Sequence, residues 1–436
     1  MKKTALIIPF LVFTACAGDN GSGSVDDGSC AWIDSAANSA AVQLAMTAGA
    51  IEGDSLFPRS LHTDYSLEQL EQQLEIPVSE FKDEIVLMQH PETNRYRTPM
   101  MVKYNDWTSG FFPGSLWYAY ELTGKPELME QAARFTNMVF PVSYMTDTHD
   151  LGFMVGCSYG NAYRLAPSDS IKEIVVRTAD NLAGRFDASK GVIRSWDFGP
   201  WNYPVIIDNM MNLRLLFDAY RITGDKRYAQ TAMTHANTTM ANHFRPDYTC
   251  YHVVSYDNSG RAERKQTFQG KNDDSAWARG QAWALYGYSE IARETGDTAY
   301  RNHAVRIADM FIDRNTAPDR IPYWDLDAPV LEATPRDASA AAVVASGMLD
   351  LGSQLGEDGR RYIDYAAEIL RTLASAEYMA RPGGNGGFVL MHSTGSLPHG
   401  SEIDTPLNYA DYYFLEGLVR YKRILGGLEP VEVAFR

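Results

Sequence analysis

The fold is decided by a segment that the chain repeats, Leu215-Leu216-Phe217-Asp218-Ala219-Tyr220-Arg221-Ile222-Thr223-Gly224. Two further copies are Leu116-Trp117-Tyr118-Ala119-Tyr120-Glu121-Leu122-Thr123-Gly124 and Tyr286-Gly287-Tyr288-Ser289-Glu290-Ile291-Ala292-Arg293-Glu294-Thr295-Gly296. Each copy is rich in large apolar side chains and ends in Thr-Gly. Glycine is common just after a helix because it adopts the left-handed backbone conformation without steric cost. We therefore interpret each copy as a buried helix that stops at its glycine.

A second, amphipathic helix is predicted after each of these glycines. In the segment that follows Gly296, for example, Tyr300, Ala304 and Ile307 recur with the period of a helix face. Weaker copies of the apolar helix cover residues 338–356 and 412–427, and residues 151–165 add another. The chain therefore carries six apolar helices, with room for a returning helix after each.

Six helix hairpins in succession predict an all-α fold, an (α/α)6 barrel in which the inner helices are apolar on every side. Each inner helix begins at or near an aspartate, and these residues are Asp106, Asp150, Asp208, Asp274, Asp337 and Asp411. Such residues are typical N-caps, which is the plainest explanation of each one alone. Gathered at one end of a ring, however, they would also line a cavity.

The composition fits one large catalytic domain, residues 31–436, and restricts its function. Of the 436 residues, 45% are hydrophobic and 12% are aromatic, and the net charge is −16. The negative charge argues against nucleic acid as a partner, because a basic surface is expected there. The many aromatic rings suit a carbohydrate site, although most are expected in the core. No phosphate loop, Gly-x-Ser-x-Gly elbow or zinc motif occurs, so we predict neither a cofactor nor a metal.

The N-terminus has the features of a bacterial lipoprotein signal peptide, residues 1–16. Lys2 and Lys3 precede an apolar run that is too short to span a membrane, and Phe13-Thr14-Ala15-Cys16 resembles a relaxed lipobox. We expect export to the periplasm or cell envelope, lipidation at Cys16 and a flexible tether over residues 17–30. The lipid would be the only membrane contact. An ordinary cleaved signal peptide is the alternative.

Five segments resemble the unsaturated glucuronyl hydrolases, glycoside hydrolase family 88, and follow the family's order within residues 75–425. They are Asp106-Trp107-Thr108-Ser109-Gly110-Phe111-Phe112-Pro113-Gly114, His149-Asp150-Leu151-Gly152-Phe153-Met154, Ile206-Ile207-Asp208-Asn209-Met210-Met211-Asn212-Leu213, Asp273-Asp274-Ser275-Ala276-Trp277-Ala278-Arg279-Gly280-Gln281-Ala282-Trp283 and Asp411-Tyr412-Tyr413-Phe414-Leu415-Glu416. The resemblance implies an (α/α)6 barrel that binds unsaturated uronyl di- or oligosaccharides. These substrates are fragments that a polysaccharide lyase leaves with a C4=C5 double bond in the nonreducing-end uronic acid.

The resemblance also implies a mechanism that departs from the usual two-carboxylate schemes of glycosidases. The substrate is a vinyl ether, so protonation occurs at C4 and water adds at C5. By resemblance, Asp208 is the general acid and base, and Asp150 is the second carboxylate. Asp208 must hold its proton when substrate binds, which predicts a raised pKa. Without the resemblance, an N-cap of the following helix would be the favoured interpretation of Asp208.

Further matched residues suggest a substrate-binding shell. The resemblance makes Trp107, Trp277 and Trp283 sugar-stacking aromatics, Arg279 the group that grips an anion, and His252 and Gln269 saccharide contacts. Trp196 is assigned to the rim of the pocket, and Tyr409 to a contact with the substrate. His149 either belongs to the same shell or packs inside the protein.

Three other functions remain open from the sequence. An unsaturated rhamnogalacturonyl hydrolase that acts on pectin fragments would share the fold, although the His149–Met154 segment favours the glucuronyl enzymes. A noncatalytic glycan-binding lipoprotein would not need both Asp208 and Asp150. A polysaccharide lyase would require a Tyr/His pair and a more basic cleft.

Overall fold

The computed structural model describes residues 28–62, 66–75, 99–432 and 434–435. The predicted signal peptide, its lipidation site Cys16 and tether residues 17–27 lie outside these ranges. Residues 28–30 do not continue the tether, because helix α1 (Gly28–Ala50) already begins there and Cys30 is buried.

Helices of the described ranges form two concentric layers, which confirms the predicted (α/α)6 barrel. The inner layer consists of α3 (Phe111–Thr123), α5 (Asn161–Leu165) with the π-helix Gly152–Gly160 that precedes it, α7 (Arg214–Thr223), α9 (Ala278–Thr295), α11 (Ala338–Gln354) and α13 (Asn408–Leu425). The outer layer consists of α1, α4 (Pro126–Met138), α6 (Asp169–Ala183), α8 (Lys226–Asn242), α10 (Thr298–Arg314) and α12 (Arg360–Leu373). Each inner helix packs on the next, and α13 closes the ring on α3. A short helix, α2 (Leu67–Leu74), lies outside the repeat.

The predicted Thr-Gly stops are confirmed. Gly124, Gly224 and Gly296 adopt φ of 69°, 74° and 70°, and each donates its backbone N–H to a carbonyl of the helix that it ends. Asp225 and Asp297 then cap the outer helices α8 and α10 by accepting a backbone N–H two residues further on. The turn between the layers is therefore encoded locally.

The aspartates at the mouth are mostly not helix caps. Of the six, Asp337 does cap α11, by accepting the backbone N–H of Ser339. Asp208 lies in the 3₁₀ turn Ile207–Asn212, several residues before α7, and Asp411 lies inside the first turn of α13. Asp274 is exposed, and α9 begins only at Ala278. The capping explanation therefore does not account for Asp208.

Small antiparallel sheets cover the mouth of the barrel. They pair β1 (Phe57–Leu61) with β2 (Pro99–Val102), β3 (Phe186–Asp187) with β4 (Val192–Ile193), and β5 (Pro204–Ile206) with β6 (Val253–Tyr256) and β7 (Ala262–Gln266). Ile206 is opposite Val253 in the three-stranded sheet, which brings the residues after β5 beside those before β6. Within residues 388–392, by contrast, Leu390 forms only an isolated bridge, with Met379. Helices of the described residues are all too short or too polar to cross a bilayer.

Candidate active site

Asp208 is a buried carboxyl group with one oxygen left unpaired. Its side chain is 10% exposed, and Oδ2 has no hydrogen-bond partner. Burial raises the pKa of Asp208 to about 7, the positive charge of Arg279 opposes this rise, and the charge of Asp150 reinforces it. A carboxyl group with this pKa holds a proton near neutrality and can release it to a bound substrate.

His252 faces Asp208 in one fixed protonation state. Its Nδ1 accepts the backbone N–H groups of Phe268 and Gln269 at 3.1 and 3.2 Å, so this nitrogen cannot carry a proton. Burial also lowers the pKa of His252 well below its usual value. The ring is therefore neutral with its proton on Nε2, which lies 3.7 Å from Asp208 Oδ2. This N–H can stabilise the Asp208 carboxylate once its proton has left.

Asp150 is a second, partly buried carboxyl group, with its side chain 14% exposed, and its charge raises the pKa of Asp208. Its Oδ2 accepts the hydroxyl of Thr148 at 3.0 Å, and Oδ1 lies 3.3 Å from His149 Nε2. Burial raises the pKa of Asp150 to about 7, against the Thr148 hydrogen bond, while the Asp106 charge adds to the rise. Asp150 is therefore a second group that can be protonated near neutrality.

His149 lies behind Asp150 and is fully buried. Burial lowers the pKa of His149 to about 3, so the ring is neutral. Of the two interpretations of His149, the geometry favours internal packing over substrate contact, because no part of the side chain is exposed.

Asn212 joins the two segments that carry the carboxyl groups, a role that the sequence did not suggest. Its Oδ1 accepts the backbone N–H of Phe153 at 2.8 Å. A side chain on Gly152 would meet Asn212 Cα at 2.6 Å, so the two backbones touch here. The helix after Asp150 widens into the π-helix Gly152–Gly160, and such irregularities are frequent at functional sites. Asn212 lies in the Asp-Asn-Met-Met-Asn segment that resembles the family, and this was the one feature of the sequence that could have indicated its role.

The predicted stacking tryptophans differ in accessibility. Trp107 is partly exposed, with its ring centre 5.0 Å from that of Tyr409. Trp277 is buried, and its ring centre lies 4.6 Å from that of His252. The structure does not leave Trp283 free to stack on a sugar, since Phe153 and Tyr413 pack against it and it is fully buried. Its indole N–H instead lowers the pKa of Asp208, without reaching hydrogen-bond geometry.

Arg279 is neither a free anion-binding arm nor a surface residue. It is buried, forms an ion pair with Asp337 at 2.8 Å and donates to the carbonyl oxygens of Thr394 and Gly395. Most of its donors are therefore used within the protein. Arg279 fastens the loop at residues 393–401 to the barrel and limits the rise in the pKa of Asp208.

The remaining predicted residues lie around the same mouth. Tyr409 is fully buried between Trp107 and Arg279. Gln269 is partly exposed, and its side chain donates to the Gly395 carbonyl at 3.4 Å. Trp196 is partly exposed at the rim, with its ring centre 5.8 Å from that of His252. No cluster of three or more possible metal ligands occurs in the described ranges.

The structure places two carboxyl groups with raised pKa values and several aromatic side chains at one end of an (α/α)6 barrel, an arrangement that defines a glycosidase-type site. A model of Glycosyl Hydrolase Family 88 matches residues 82–294. An unsaturated glucuronyl hydrolase of Formosa agariphila is 43% identical over 329 residues, which cover 74% of this chain and 82% of that protein.

Solved structures agree with this match. A crystal structure of an unsaturated glucuronyl hydrolase specific for heparin is 44% identical, with a TM-score of 0.81 over 91% of this chain and 98% of that one. The unsaturated glucuronyl hydrolase of Bacillus sp. GL1 is 29% identical, with a TM-score of 0.77 over the same shares. The chain belongs to glycosyl hydrolase family 88 and is an enzyme of the unsaturated glucuronyl hydrolase type.

Proposed function

We propose that the protein removes the Δ4,5-unsaturated uronic acid from the nonreducing end of lyase-made glycosaminoglycan fragments, with Asp208 as the catalytic acid. The observation that carries this proposal is the state of Asp208. Its carboxyl group is buried, its pKa is raised to about 7, and Oδ2 lacks a partner. A group that must donate a proton to carbon near neutrality needs these properties.

The proposed reaction is hydration of the vinyl ether. Asp208 gives its proton to C4, the electrons of the double bond form the new C–H bond, and the positive charge at C5 is shared with the ring oxygen. Water then adds at C5 while the Asp208 carboxylate takes one of its protons. The C5 hemiketal opens to a ketone, and the hemiacetal left at C1 collapses to an aldehyde and releases the remaining sugar.

His252 and Asp150 support this cycle in different ways. The Nε2–H of His252 faces Asp208 Oδ2 and stabilises the carboxylate that exists between the two proton transfers. Asp150, with its raised pKa, can bind a sugar hydroxyl and, while charged, favours the protonated form of Asp208. The two carboxyl groups therefore have separate roles.

Heparin-type fragments are the proposed preferred substrates, because the crystal structure at 44% identity is that of an enzyme specific for heparin. The conjugated C=C absorbs ultraviolet light, so hydrolysis is followed as a loss of absorbance. Purified protein should consume unsaturated disaccharides from heparin faster than those from chondroitin or hyaluronan, with ulvan and pectin fragments as controls. Unchanged absorbance with every glycosaminoglycan disaccharide would refute the proposal.

We also propose that the enzyme is exported and anchored through a lipid on Cys16, on the basis of the lipobox-like Phe13-Thr14-Ala15-Cys16. Expressed in a Gram-negative bacterium, the wild-type protein should sediment with membranes and incorporate labelled palmitate. The Cys16→Ser variant should do neither. Equal membrane association of the two proteins would count against the anchor.

A further inference from the structure

An exposed aromatic surface leads outward from the catalytic residues. Trp196, beside His252, stacks on Phe198 with ring centres 4.9 Å apart and an interplanar angle of 18°. Phe268 packs against both rings, at 5.2 and 6.2 Å. We call Trp196, Phe198 and Phe268 the aromatic ledge. It runs from the buried His252 to the exposed Phe198.

Phe198 is exposed although its loop is firmly held. The side chain is 55% exposed, which is costly for a large apolar ring unless the ring has a partner. Asp197, the preceding residue, forms ion pairs with Arg185 and Arg194 at 3.0 and 3.1 Å. On the other side, Gly199 adopts φ of 85° so that its backbone lies directly against the ring of Trp201. The loop therefore presents the ring to solvent in one orientation, which lowers the entropic cost of binding.

Positive charge borders the ledge. Arg264 on β7 is exposed and donates to the Pro200 carbonyl at 3.3 Å, and no ion pair of Arg264 is found among the described residues. Arg185 and Arg194 are instead engaged by Asp197, and the nearby Asp273 accepts the backbone N–H of Thr267 at 2.9 Å. Glu263 is engaged by neutral groups, accepting from Asn202 and Ser255. An exposed guanidinium without an ion-pair partner in the described part of the chain, in a protein of net charge −16, is suited to an anionic ligand.

We propose that the aromatic ledge and Arg264 form an outer subsite for an anionic sugar beyond the first glycosidic bond of the substrate. The inference rests on the proposed function, since the bound chain must enter the cavity with its unsaturated end. Trp196 and Phe198 lie one and two ring steps from His252, and each step is comparable to one sugar unit. Phe198 thus stacks on a sugar face, and Arg264 pairs with a carboxylate or sulfate of that part of the chain.

Binding is tested first in the Asp208→Asn background, where the substrate is not consumed. Calorimetry should show tighter binding of a heparin-derived unsaturated tetrasaccharide than of the disaccharide. Phe198→Ala should weaken tetrasaccharide binding about 5-fold to 10-fold and leave disaccharide binding unchanged. The matched control is Tyr144→Ala, because Tyr144 is 60% exposed but stacks on Arg177 rather than on the ledge.

The charge of the ligand is tested with a tetrasaccharide whose tail is neutral, dGlcA-Glc-Rha-Glc. Arg264→Gln should weaken binding of the heparin tetrasaccharide about 3-fold to 10-fold and that of the neutral-tailed one by less than 2-fold. Arg360→Gln, a change of an exposed arginine on α12, should alter neither. In the active background the same variants should raise KM for the anionic tetrasaccharide without lowering kcat for the disaccharide.

The outcomes separate this subsite from the proposed function. If the disaccharide is hydrolysed but Phe198→Ala affects both substrates equally, or neither, the outer subsite is wrong and the function stands. If nothing is hydrolysed yet tetrasaccharide binding still depends on Phe198 and Arg264, the function is wrong and the subsite stands. If no oligosaccharide binds, both are wrong.

Discussion

Replacing Asp208 with asparagine should lower kcat for an unsaturated disaccharide by about 10³-fold, within the range typical of general acid–base groups. Asparagine keeps the size of the side chain but has no proton to give to C4 and cannot accept one from water. KM should change little, because the binding surfaces are retained. The measurement is the rate of absorbance loss at saturating substrate, and a variant that keeps the wild-type rate would remove Asp208 from the mechanism.

The pH dependence gives an independent check. The wild-type rate should fall as the pH rises through about 7, because Asp208 then loses the proton that it must donate. Stability follows the same titration. The pKa of Asp208 in the folded state exceeds its value of about 3.9 in the unfolded state, so between about pH 4 and pH 7 the folded state binds more protons than the unfolded state. The free energy of unfolding therefore falls as the pH rises across that window.

The Asp208→Asn variant removes this cost of burying a charge. Its melting temperature should equal or exceed that of the wild type at pH 8, and the difference should shrink toward pH 4. Lost activity with retained or increased stability is a combination that misfolding cannot produce. A lower melting temperature at pH 8 would indicate that the Asp208 carboxylate stabilises the fold.

Asp411 provides the matched control, because burial raises its pKa to about 7 as well. Both of its oxygens are satisfied, since they accept the backbone N–H groups of Val389 and Leu390 at 2.9 and 2.8 Å. Asp411→Asn can offer only one acceptor oxygen and should lower the melting temperature while largely preserving kcat. Two similarly raised pKa values thus belong to the proposed catalytic group and to a structural group, and the unpaired oxygen of Asp208 distinguishes them.

The sequence predicted the parts of this protein that are encoded locally. The glycine stops and the alternation of apolar and amphipathic helices depend on neighbouring residues, so the barrel could be inferred from them. Trp283 is packed against Tyr413 and Arg279 is paired with Asp337, and both partners are remote in sequence. The sequence alone does not indicate that these partners bury the two side chains. The sequence therefore placed these residues at the correct end of the barrel but did not predict how exposed each side chain is.

A second buried carboxylate, Glu416, lies halfway along α13, deeper in the barrel than Tyr409, and is 4% exposed. It accepts the hydroxyls of Tyr118 at 2.9 Å, Tyr286 at 3.1 Å and Ser346 at 2.6 Å, and it pairs with Arg420 at 3.1 Å. These partners come from four of the inner helices, α3, α9, α11 and α13. Glu416 therefore links four of the six inner helices near the middle of their length.

Glu416→Ala should lower the free energy of unfolding by about 3–5 kcal/mol, because it leaves the buried Arg420 charge without its carboxylate and three hydroxyls without an acceptor. Denaturant titration measures the loss. Glu416→Gln retains one acceptor oxygen and should lose less.

The folded Glu416→Ala enzyme should keep kcat close to the wild-type value, since residue 416 is about 10 Å along α13 from the Tyr409 contact. Equal stability of Glu416→Ala and the wild type would mean that neighbouring groups such as Glu290 take over the Arg420 charge, because Glu290 already lies within electrostatic reach of that guanidinium. A double substitution, Glu416→Ala with Arg420→Met, separates the two effects. If the unpaired charge is the main cost, removing it should restore much of the stability that the single variant loses.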